Sequence, residues 1–154
     1  MTVPAHDQTR TLTETIWYPE HAHRTASVEY RKVHYHLVYE LDEPCWICGV
    51  RQSQLPAGAH NETHHVAVEW ALANAVDPKL VAADFETDRI LAAKADDAWL
   101  RNFLDSEGNL LVLCSAHHRH GFVGIHSVTY PAWVVQRWER THDVAVPPPS
   151  TTGY

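Results

Sequence analysis

The chain of 154 residues carries 12 Lys and Arg against 19 Asp and Glu, a formal net charge of −7, with 13 histidines and only 3 cysteines. That length suits one domain burying about 68–70% of its unfolded surface, and 45% hydrophobic residues with 6 Trp exclude a disordered chain. No apolar run nears the roughly 18 residues of a membrane span, the polar start reads as no signal peptide, three cysteines favour a reducing, cytoplasmic setting, and the acidic balance argues mildly against coating nucleic acid by charge alone.

Residues 1–44 read as an N-terminal segment packed on, or leading into, a core. Within it, residues 26–39 fit two patterns. Val33, Tyr35, Leu37 and Tyr39 alternate as in a half-buried strand, while Val33 and Leu37 also share a helix face. The cysteine-bearing run CWICG at 45–49 comes next, then a polar loop over 50–61. A short β-favouring stretch, ETHHVAVEW, passes into the helical composition of ALANAV. Asp77 and Pro78 predict an N-cap and first helical position. Thr87 predicts a cap for a helix from Asp88 to Leu104, with Ile90, Leu91, Ala95, Trp99 and Leu100 near one face. Residues 105–108 form a turn, and residues 109–114 an apolar run of strand length. Pro131 could open a last helix that turns Trp133, Val134 and Trp138 inward. Residues 142–154, ending in PPPSTTGY, form an exposed tail.

Cys45 and Cys48 are spaced C-x-x-C with Gly49 next, so two thiolates can approach one ion from a tight turn. Cys114 and His117 repeat the two-residue gap. Three cysteines and one histidine complete a tetrahedral zinc set, which uses every cysteine of the chain. With four protein ligands such a zinc is structural. The alternative is an unpaired buried Cys114 beside an incidental histidine.

His64 and His65, preceded by Glu62 and Thr63, form a second constellation. Asn109 and His118 follow far downstream, with His120 and His126 nearby. Through CWIC at 45–48, HHV at 64–66 and NLLVLCSAHH at 109–118, the chain resembles the HNH endonuclease family. The resemblance implies an α+β fold: a ββα-metal core over 45–141, with residues 66–108 as a largely helical insertion between the two core strands. It implies His64 and His118 as ligands of a catalytic divalent ion, Mg²⁺ or another such as Mn²⁺. His65 stands where the general base stands, and Asn109 would orient the His65 loop or ring. The substrate implied is DNA. Where the family often has an acidic residue the chain has His64, and where it often has a cysteine the chain has His117.

His126 and His120 could each complete the catalytic site, and His117 and His118 could exchange roles by one register. Adjacent helical residues diverge by about 100°, so one can face each ion. Arg119, Arg137 and Arg140 read equally as phosphate contacts or as solvated charges. Most of the tryptophans read as packing residues. His34 and His36 read as polar-face residues, and Asp96 with Asp97 as a helix cap or solvated pair. His6, His21, His23, His60 and His142 carry no spacing signal. A second class of function competes: a zinc-stabilised module that binds nucleic acid or protein without catalysis. The charge is uneven, since residues 77–107 hold four basic against eight acidic residues. Residues 108–154 hold three against two, with five of the histidines.

Overall fold

A computed structural model describes residues 15–138, with Thr2, Pro4 and Thr13 before them. Arg140, His6, His142 and the tail at 142–154 lie outside the described residues. The fold is α+β, built on a two-stranded antiparallel sheet. Strand β1 (Asn61–His65) pairs with β2 (Leu110–Cys114), Asn61 opposite Cys114 and His65 opposite Leu110. β1 is polar and owes its place to its partner: Leu110, Val112, Leu113 and Cys114 are all buried, and the sheet's core is theirs.

The two readings of residues 26–39 resolve to a helix. Ser27 caps α1 (Val28–Tyr35) by accepting a 2.8 Å bond from the amide of Tyr30. A π-helical turn, His36–Glu40, continues it and buries both Leu37 and Val38 against Leu110 and Val112. His34 then reaches back to the Thr63 hydroxyl (3.2 Å), and His36 pairs with Glu40 (2.6 Å).

Between the strands the chain is helical: a 3₁₀ turn at Trp70–Ala75, then α2 (Pro78–Phe85), α3 (Arg89–Ala93) and α4 (Asp97–Leu104). Asp77 caps α2 as expected, with Pro78 next. The single helix expected from Asp88 to Leu104 is two, and its cap is Asp88 rather than Thr87. Asp96 breaks it, because its carboxylate accepts from the amides of Ala98 (3.0 Å) and Trp99 (2.9 Å) and starts a new helix. The break turns Ile90 and Leu91 outward, 67% and 52% exposed, while Leu100, Phe103 and Leu104 stay buried. No helix among the described residues is long and apolar enough to cross a membrane.

After β2 comes the short helix α5 (Ser115–Arg119), and α6 (Tyr130–Val135) closes the described chain with a 3₁₀ turn at Gln136–Trp138. That tighter turn leaves Trp138 exposed, against the expected inward face. Trp133 is 1% exposed, stacks on Trp46 (5.5 Å, 11°) and donates 3.0 Å from Nε1 to the carbonyl of His117. Trp133→Ala should therefore cost about 3–5 kcal/mol of stability, read from denaturant unfolding.

Candidate functional site

The first cluster forms where the Cys45 turn meets the end of β2. The amide of Cys45 donates to Val50, that of Gly49 to Cys45 (2.8 Å each), and that of Trp46 to Val112 (2.9 Å), which fixes the turn against the sheet. Gly49 sits at φ 76°, a conformation that favours glycine. One ligand atom each from Cys45, Cys48, Cys114 and His117 lies within 4.8 Å of the others. Cys114 Sγ is 3.1 Å and Cys45 Sγ 3.7 Å from His117 Nδ1, and Cys48 Sγ is 4.0 Å from Cys114 Sγ. Zinc–sulfur bonds of about 2.3 Å in a tetrahedron put sulfurs about 3.8 Å apart, so the spacing fits. All three cysteines are free of disulfides.

The charges within this cluster fit a cation. Hydrogen bonds from Cys114 and Cys48 hold the Cys45 thiol far below its ordinary range, and the same closeness pushes Cys114 far up. Burial pulls His117 down, but its contacts with Cys45 and Cys48 prevail and carry it to about 9. Three thiolates need a positive centre in order to ionise together, and a metal ion such as zinc supplies one. Cys114→Ser should remove one equivalent of zinc per chain and lower the unfolding midpoint, measured by metal analysis and thermal unfolding.

The second cluster lies on the other side of α5. His64, His118 and His126 bring one ligand atom each within 4.8 Å, with ring centroids 4.8–5.2 Å apart. The neighbours His117 and His118 therefore diverge, one to each cluster. Glu62 holds the His118 ring by accepting from Nδ1, and also accepts from Arg119 Nε at 2.6 Å. Burial, then the neighbouring imidazoles, lower His64 to about 4. Burial also lowers His118, against the pull of Glu62. The rings of His64 and His118 are thus disposed to be neutral, the form in which imidazole binds metal. His126 arrives by a tight loop. The amide of Gly124 donates to His120 O (2.8 Å) and that of Ile125 to His117 O (3.0 Å). A Cβ on Gly124 would stand 2.7 Å from the His120 backbone, so the approach requires glycine. His120 lies outside the cluster, its Nδ1 accepting from the amide of Phe122 (3.2 Å).

His65 does not join these three rings. Its Nε2 is 3.3 Å from Asp105 Oδ1, its ring stacks on Tyr30 (6.0 Å), and Arg24 Nη1 is 3.2 and 3.4 Å from its two nitrogens. Burial, then Arg24, lower its pKa; Asp105 opposes them. Asn109 is fully buried and holds the loop after β1 rather than the ring. Its Oδ1 accepts from the amides of Ala67 (2.9 Å) and Val68 (3.2 Å), and its Nδ2 donates to Val68 O and Leu104 O (2.9 Å each).

His64, His65, His118 and His126 open on one cleft of about 530 Å³, whose lining also includes Arg24, Glu69 and Trp70. Sequence reasoning passed over Arg24, Asp105 and Gly124, and gave Glu62 no role. Only Glu62 carried a signal, two residues before His64 on a strand and so on the same face. Arg119 borders the His118 cluster through Glu62. Arg137 instead lies over Trp46 (4.5 Å), away from the cleft. No family model matches the chain, and no curated protein or solved structure is significantly similar to it.

Proposed function

We propose that the chain is an HNH-type endonuclease that hydrolyses phosphodiester bonds of DNA. The observation that carries this reading is the convergence of His64, His118 and His126 beside a fourth histidine, His65, on one open cleft. Three imidazoles suit a borderline divalent ion such as Ni²⁺ or Zn²⁺ better than Mg²⁺ or Mn²⁺, which prefer oxygen ligands. When bound, the ion supplies positive charge to the phosphate oxygens as the transition state forms.

The chain's own residues do the rest. Glu62 fixes His118 through Nδ1, as outer-sphere carboxylates orient histidine ligands. His65 takes the proton from the attacking water. Asp105 orients its ring, and Asn109 anchors the strand end that carries it. The Cys45–Cys48–Cys114–His117 cluster, with a structural zinc, holds the turn from β2 into α5 on which His118 rides.

The test is cleavage of supercoiled plasmid by the metal-loaded protein across Mg²⁺, Mn²⁺, Ni²⁺ and Zn²⁺. Wild type should cut, and His65→Ala should lower the rate on the order of 10²–10⁴-fold with zinc content unchanged. Equal, background-level cleavage by both across all four ions would overturn the reading and leave a zinc-stabilised binding module.

A further inference from the structure

The geometry points to Arg24 as the substrate-phosphate ligand of the cleft, with Nη2 held on Asp105 and Nη1 resting against His65 until it turns to a nucleic-acid phosphate. This inference rests on the nuclease reading above and names the group that would receive the DNA backbone.

Arg24 is the one Lys or Arg among the described residues lining the cleft. Its guanidinium is held from several sides. Nη2 donates 2.7 Å to Asp105 Oδ1, and the group lies 5.0 Å over the Tyr30 ring and 5.7 Å over that of Trp70. Asp105 is itself fixed by the Ser27 hydroxyl (2.7 Å) and is only 6% exposed. The segment that carries Arg24 is tied to the insertion. Trp70 Nε1 donates 3.1 Å to Ala22 O, and Asn74 Nδ2 donates 2.6 Å to Glu20 O. A cation is thus pre-organised beside the candidate base, with a quarter of its side-chain surface exposed.

Nη1 is the group with most to gain from a ligand. It shares the edge of one imidazole, 3.2 and 3.4 Å from its two nitrogens, and cannot align well with both. A phosphate oxygen offers it a charge-assisted bond about twice as strong as a neutral one. The planar guanidinium can keep Asp105 on one edge and take phosphate on another.

The experiment is steady-state cleavage of a duplex oligonucleotide by wild type, Arg24→Gln and Arg24→Lys over a range of salt. Arg24→Gln should raise KM on the order of tenfold and reduce the slope of log KM against log salt by about 0.9, one phosphate contact. Arg24→Lys keeps the charge, so it should keep the wild-type slope while its KM rises, because an ammonium lacks the fork. It also serves as the test if the glutamine variant does not fold. Wild-type KM and slope in Arg24→Gln, or a wild-type KM in Arg24→Lys, would overturn the inference and leave the nuclease reading standing. Wild type that neither binds nor cuts the duplex would remove the reading itself.

Discussion

Both histidine-bearing clusters are built on one small sheet, Asn61–His65 against Leu110–Cys114, and the imidazole cluster depends on that pairing. The register sets Cys114 at the end of β2, where the cysteine turn meets it. It also delivers α5 with His117 and His118 diverging to opposite sides. On β1 it sends the consecutive His64 and His65 to different neighbours, one to the imidazole cluster and one to Asp105. A slip of one residue would exchange those faces and scatter the imidazole cluster, because His64 rides on β1 while His118 follows β2. The pairing is held by the apolar half of the sheet, packed between Leu37 and Val38 on one side and Ile47 and Trp133 on the other. The polar strand carries candidate chemistry and little core.

The charge of the chain takes a different meaning from this arrangement. Acidic residues outnumber basic ones in the segment between the strands, where they stand mostly at helix caps and in loops, and one of them, Glu69, lines the cleft. Several acidic residues are employed one by one: Asp77, Asp88 and Asp96 cap helices, Glu62 orients His118, and Asp105 balances Arg24. A cleft lined by histidines, one guanidinium and one carboxylate, Glu69, is compatible with a −7 chain. The attraction for a polyanion that the proposed function requires would rest on local groups rather than on a basic surface.

The cysteine cluster was legible because its ligands come in two short gaps, and metal geometry constrains such gaps tightly. The divergence of His117 and His118 followed from helical periodicity alone. The two readings of residues 26–39 could not be separated by pattern, since Val33 and Leu37 serve both. Ser27 and the packing of Leu37 with Val38 on β2 decide between them. The break at Asp96 was hidden for a different reason: an aspartate inside a helical run is either a solvated residue or a cap, and only the backbone distinguishes them. Arg24 and Asp105 are 81 positions apart and carry no mutual spacing. Gly124 gives no local sign that a backbone passes 2.7 Å from its missing side chain.

The central claim is that His64, His118 and His126 hold a divalent ion that the cleft uses on phosphodiesters. Stepwise metal titration of the metal-free protein, with bound ion and plasmid cleavage followed together, tests it most directly. Two classes of ion should load, one retained through the cysteines and one labile to chelator. Cleavage should appear only with the second, and His126→Ala should lose that ion and the cleavage while keeping the first. A single bound ion per chain, or cleavage undiminished in His126→Ala, would contradict the account.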